Sequence, residues 1–143
     1  MALKIHRAIA DSLEKAGFGL EIAWPNILYK PCEHLDDQGE PLPFLELVYG
    51  ASNRTQFTLD GDEGVDRVNG LFMVNVRYAT NRGAVLAENK AHLILYYYLN
   101  GGEFAYDGQI VRVIGASLEP GAPDFGWYKI TVAIRYESYQ RRT

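Results

Sequence analysis

Over Ala2–Ala16 the apolar residues recur at steps of three or four. Ile5, Ile9, Leu13 and then Ala16 or Gly17 fall on one side, and Lys4, Arg7, Asp11 and Glu14 fall elsewhere. That period predicts an amphipathic helix, with Gly17 as its stop signal. Beyond it the period shortens towards two. Glu21–Tyr29 is an extended stretch broken by Trp24-Pro25-Asn26, because proline biases the residue before it towards extended backbone. Phe44–Ala51 alternates, with Leu45, Leu47 and Tyr49 on one face, and predicts a strand. A turn at Ser52-Asn53 then leads into a second short strand, Gln56–Leu59. Val68–Tyr78 is the clearest strand: Val68, Phe72, Val74, Val76 and Tyr78 share one parity, and Gly70 interrupts it as a bulge.

Asn81-Arg82-Gly83 turns the chain into a second helix, Ala84–Leu99. Val85, Leu86, Asn89, Leu93, Tyr96 and Tyr97 form its apolar stripe, and Asn100-Gly101-Gly102 closes it. Two more strands follow, Gln109–Leu118 and Trp127–Tyr136, joined by the turn-rich Glu119–Asp124. In the last strand Tyr128, Ile130, Val132, Ile134 and Tyr136 alternate with Lys129, Thr131, Ala133 and Arg135. Tyr139–Thr143 is expected to fray. The expected fold is α+β, one domain over residues 1–143. Two helices pack on one face of a mostly antiparallel sheet of about five strands, in the order α-β-β-β-α-β-β.

Composition narrows the function. At 143 residues the chain buries enough surface to fold without a disulfide or metal. A net charge of −4 argues against a surface built to grip nucleic-acid backbone, the basic cluster of Arg135, Arg141 and Arg142 notwithstanding. The single Cys32 excludes an internal disulfide and suits a reducing cytosol. The N-terminus lacks the apolar core of a secretory signal, and the run Leu93–Leu99 is too short to span a bilayer.

Candidate chemistry is sparse. Cys32-Glu33-His34-Leu35-Asp36-Asp37 holds every common metal-ligand type, but no second Cys or His group lies at a familiar spacing. The other histidines, His6 and His92, fall in the two predicted helices. The stretch reads as a solvated acidic loop, and no catalytic, metal or cofactor site is expected. Cys32 and His34 lack the oxyanion hole and strand–helix elbow of a nucleophilic site, and no phosphate-binding glycine pattern occurs.

The densest charge cluster, Asp60, Asp62, Glu63 and Asp66, lies on a predicted loop and is read as serving solubility or an electrostatic contact with a partner, which makes it a candidate interface. The tyrosines stand out as well. Three in a row, Tyr96-Tyr97-Tyr98, cannot share one helix face, so at least one points away from the core. Tyr97 and Tyr98 join the candidate interface.

Several segments together resemble the tail-terminator-like proteins of long-tailed bacteriophages. They are the N-terminal helix, Ile22-Ala23-Trp24-Pro25-Asn26 with Tyr29-Lys30-Pro31, Pro43-Phe44-Leu45-Glu46-Leu47, and Val74-Asn75-Val76. The Ala- and Leu-rich helix and Gly126-Trp127-Tyr128-Lys129-Ile130 leading into Val132-Ala133-Ile134-Arg135-Tyr136 complete the set. The resemblance spans nearly the whole chain through core and turn residues. It implies a structural protein that caps the head-proximal end of the tail tube as a hexameric ring. Such a ring ends tube polymerisation and joins the tail to the head. The implied partners are further copies of itself, the major tail tube protein and a head-completion or neck protein. DNA only passes through the lumen, and no membrane is involved. The implied location is the virion tail, assembled in the host cytoplasm. The family carries no catalytic residues. The loop Pro31–Pro43, longer and more acidic than the family pattern, and the extended Asn100–Asp107 depart from it. Two other readings remain open: another head–tail neck protein, and a small-molecule-binding α+β domain with an aromatic cavity.

Overall fold

The computed structural model describes residues 3–56, 64–80 and 84–141. Two helices, α1 (Leu3–Ala16) and α2 (Ala84–Gly101), lie on one face of a seven-stranded sheet. Its strands are β1 (Glu21–Ala23), β2 (Phe44–Gln56), β3 (Val65–Ala79), β4 (Glu103–Tyr106), β5 (Gln109–Leu118), β6 (Ala122–Asp124) and β7 (Trp127–Arg141). The sheet order is β1-β2-β3-β7-β5-β4, with β6 pairing β7 off that path. Among the described residues only β1–β2 is a parallel pair. The α+β expectation holds, and the strand count changes from five to seven: β1, β4 and β6 are added as three- or four-residue pieces without a readable period, and β2 stands where two strands were expected on either side of Ser52-Asn53.

The core forms where strand parity meets the helices. Leu45, Leu47, Phe72, Val74, Val76, Ile130, Val132 and Ile134 point to the helix side. Ile5, Ala8, Ile9 and Leu13 of α1 and Ala87, Ala91, Ile94 and Tyr98 of α2 cover them. Burying each large aliphatic side chain stabilises the fold by about 1.5–3 kcal/mol. Gly17 ends α1 at φ +65, the left-handed value that glycine adopts without steric cost.

Three strand expectations change. Ser52-Asn53 is not a turn, because β2 runs through it. Tyr49 opposes Phe72 and Ser52 opposes Gly70, so Gly50 and Ala51 together face Leu71, a bulge. A side chain at Gly50 would come within 2.9 Å of the Leu71 carbonyl oxygen. Gly70 itself pairs regularly; it is glycine because the Tyr136 ring and hydroxyl lie over it, where a Cβ would sit. The tail does not fray at Tyr139, since β7 stays paired to β3 through Arg141↔Val65. Of the expected strand Gln56–Leu59 only Gln56 is described, as the end of β2; the rest lies outside the described residues, as do Asn81–Gly83 and residues 142–143.

The sheet curls around α1. Beside β2, the His6 ring stacks on Tyr49 at 3.9 Å, and the Tyr49 hydroxyl donates to the His6 carbonyl at 3.0 Å. Beside β4, Lys4 pairs with Asp107 at 3.2 Å and Arg7 donates to the Tyr106 hydroxyl at 3.4 Å. Three strands separate β2 from β4, so one helix touches both only if the sheet bends round it. Bulges in β2 and at Ile114 in β5 add the local twist this bend requires.

Candidate functional site

The sheet face away from the helices carries a polar layer that the sequence pattern does not reveal. On β2, β3 and β7, Glu46, Asn75 and Thr131 stand side by side in register. Thr131 Oγ1 donates to Asn75 Oδ1 at 2.6 Å, and Asn75 Nδ2 donates to Glu46 Oε1 at 2.9 Å. Arg77 reaches the same Glu46 oxygen from Nε at 3.2 Å and from Nη2 at 3.0 Å. Its Nη1 donates to Asp124 Oδ2 at 2.7 Å. The Arg77 hydrogen bond holds the Asp124 carboxyl below its ordinary value, against a smaller opposing effect of desolvation. Alternation in sequence marks which residues face away from the core, but it does not show that they bond to one another.

Above this layer lies a groove of about 630 Å³. Trp24, Pro25, Tyr29, Phe44 and Trp127 supply apolar walls, and Glu46 and Arg77 a polar floor. The rings hold each other in place: Tyr29 packs on Phe44 at 4.5 Å, and Phe44 meets the Trp127 ring edge-on at 5.0 Å. The segment after β1 folds back over the sheet. His34 Nδ1 lies 2.7 Å from Glu21 Oε2, and its ring stacks on Tyr29 at 4.5 Å. Burial, then the Glu21 carboxylate, pushes the Tyr29 hydroxyl up to about 12.

The acidic stretch is therefore built into a folded loop. Pro31–Glu33 form a 3₁₀ turn, and Leu35 bridges to Pro41. Asp36 Oδ1 accepts from the Gln38 and Glu40 backbone N–H groups at 2.9 and 3.0 Å. Cys32 is exposed. Among the described residues no three His, Cys, Asp or Glu side chains converge as a metal ion requires, and no helix is long and apolar enough to cross a membrane.

The expected interface residues scatter. Asp60, Asp62 and Glu63 lie outside the described residues. Asp66 belongs to β3 rather than to a solvated loop and is only 7% exposed; Arg54 Nη1 bonds its Oδ2 at 3.3 Å while Nη2 bonds Gln140 Oε1 at 2.5 Å. Tyr98 is a core residue at 1% exposure, its hydroxyl 2.8 Å from Ser12 Oγ and its ring edge-on to Phe72. Burial drives its hydroxyl pKa far up. Tyr97 and Tyr96 face outward.

The apolar stripe expected to seat α2 also faces outward. Small Ala87 and Ala91, with Ile94 and Tyr98, form the buried side and let the helix sit close to the sheet. Val85, Leu86, Leu93, Tyr96, Tyr97 and Leu99 stay between 42% and 66% exposed. A cluster of large apolar side chains left on the outer face marks a surface that something else covers.

Comparison with known proteins agrees with this architecture. One solved structure superposes with a TM-score of 0.64 over 94% of this chain and 92% of its own, at 19% identity, which shows the shared fold. No curated protein matches the sequence. The family model described as phage tail terminator protein matches residues 4–136, nearly the whole chain, so this chain belongs to the phage tail terminator family and is a structural component of phage tails.

Proposed function

We propose that the subunit assembles as a hexameric ring on the head-proximal end of the tail tube, ends tube polymerisation there and presents a surface to a head-completion or neck protein. Its role is structural rather than catalytic, and DNA passes through the ring without being gripped. The ring is assembled in the host cytoplasm and stays in the virion tail. The observation that carries this reading is the outward stripe of α2: six large apolar side chains on one helix face, unsuited to remaining in water. A ring is a head-to-tail assembly that needs two unlike contact surfaces on each copy, and the α2 stripe and the aromatic groove end are unlike.

The test is the mass of the purified protein by light scattering across concentration and salt, free and after mixing with tail tubes. A species near six subunits, free or on tube ends, supports the ring. A protein that stays monomeric in both settings and leaves tube growth unchecked rules it out.

A further inference from the structure

We infer that the sheet continues from copy to copy: the open β5 edge of one subunit, Gly115–Leu118, lies antiparallel against the open β2 edge of its neighbour, Val48–Ala51, in the aromatic groove. The inference rests on the ring reading and names the strands of one contact.

The observation is a set of rows across the sheet that are open at both ends. β1 pairs with β2 from Phe44 to Glu46 and no further, and β4 pairs with β5 from Gln109 to Arg112. Among the described residues no strand lies beside Val48–Ala51 on the β1 side or beside Gly115–Leu118 on the β4 side. The two gaps stand level. Val48 opposes Met73, Met73 opposes Ala133 and Ala133 opposes Ser117. The next row runs Tyr49, Phe72, Ile134, Ala116. The bulges at Gly50-Ala51 and Ile114 also fall at one level, so both edges bend at the same place. The Glu119 N–H donates to the Thr131 carbonyl at 2.9 Å. Hydrogen-bonded pairs alternate along an antiparallel ladder, so Ser117 bonds to β7 while the backbone groups of Ala116 and Leu118 point out of the open edge.

Neither edge carries the usual protection. Exposed edges are commonly blunted by Lys, Pro or another charged residue, and Val48–Ala51 and Gly115–Leu118 contain none of these. Large apolar side chains border them instead. Ile114 is 52% exposed beside the β5 edge, and Ile27 and Leu28 are 65% and 80% exposed on the turn that walls the β2 edge. Val48 and Tyr49 line the aromatic groove together with that turn, so the groove is the space that opens where β1 leaves β2.

Strand direction points to a second copy as the occupant. β2, β3, β7 and β5 alternate in direction, so β5 runs opposite to β2. Rotation about an axis along the strands preserves each strand's direction, so the β5 edge of one copy meets the β2 edge of the next antiparallel. Two unlike edges on opposite sides of one subunit make a head-to-tail contact, which closes as a ring when the rotation allows. In strand addition of this kind the main chain supplies affinity and side-chain pockets supply specificity. α2 borders the donating edge, where His92 and Leu118 line one recess, so the helix comes to the same contact.

Amide hydrogen exchange read by mass spectrometry tests this on the full chain, dilute and dissociated, concentrated, and mixed with tail tubes. Assembly is expected to slow exchange about tenfold or more at Ala116 and Leu118 and over residues 48–51. The variant Ala116→Pro should keep the fold, because the N–H it loses points away from β7, while self-association weakens about tenfold or more. A ring in which both segments exchange as fast as in the dissociated subunit overturns the inference and leaves the ring reading standing. Protection of residues 48–51 alone, gained on adding tail tubes, puts a segment of the tube protein in the groove and overturns the inference too. A protein monomeric in every setting overturns both readings.

Discussion

Single positions show how closely the backbone is fitted to its neighbours. Gly70 has no room for a Cβ, because the Tyr136 hydroxyl and ring occupy that space. Gly70→Ala should therefore destabilise by about 1–3 kcal/mol through forced displacement of the Tyr136 ring. Gly101→Ala, with nothing within 4 Å of the new methyl, should gain about 0.5–1 kcal/mol by restoring helix propensity near the end of α2. Thermal melts of the two variants check the contrast, and equal shifts would contradict this packing. Tyr98→Phe removes a hydroxyl bonded to Ser12 but leaves Ser12 donating to the Ile9 carbonyl at 2.7 Å. The expected cost is about 1 kcal/mol in urea unfolding.

At the level of elements, α2 works in two directions. Its small buried face sets the distance to the sheet, and its large apolar face is left for a partner. Leu93→Glu should change folding stability by no more than about 0.5 kcal/mol, because the site is exposed in the subunit. It should abolish assembly by light scattering; a Leu93→Glu protein that assembles like wild type would show that the stripe is not a contact. The polar layer opposite behaves differently. Glu46 accepts from both Asn75 and Arg77. Glu46→Ala leaves those donors short of a partner in a half-buried setting, and a loss of about 1–3 kcal/mol is expected in chemical denaturation.

Over the whole molecule, pH acts at both ends of the scale. Burial lowers the His6 pKa from 6.5, so the fold favours neutral imidazole stacked on Tyr49. The stability this gives is present above pH 6.5 and is lost as pH falls through the lowered value. Asp124, held below 3.8 by Arg77, adds a second loss at still lower pH. On the alkaline side Tyr29 keeps its proton to about 12 instead of 10.0, and its contribution is full below pH 10 and disappears as pH rises through 12. Tyr98, Tyr49, Tyr136 and Tyr78 are raised in the same direction. Melting temperature against pH should show a broad plateau with an acid shoulder beginning near neutrality. His6→Asn should remove that shoulder, and a shoulder that persists in the variant would assign it elsewhere.

The helix and strand character of the long segments is legible along the chain, because burial on one face imposes a period that survives without knowledge of the partner. Ile5, Ile9 and Leu13 of α1 and Ile130, Val132 and Ile134 of β7 are all readable that way. The family is readable too, since its residues lie in turns and core positions strung along the whole chain. The remaining features share one cause: they depend on which residues meet across long separations, and that is settled only when the chain folds. The apolar side of α2 is misread from sequence because the larger side chains form the more visible stripe, while the small Ala87 and Ala91 with Ile94 and Tyr98 are what pack on the sheet. The chain continues through Ser52-Asn53 because β3 offers a partner strand there, and local turn propensity yields to that pairing. Asp66 looks like one acid among four until Arg54 is brought beside it. Phe125 gives no signal in the sequence, as an aromatic next to a glycine is unremarkable until the backbone turns left-handed and leaves its ring in water beside an aromatic groove.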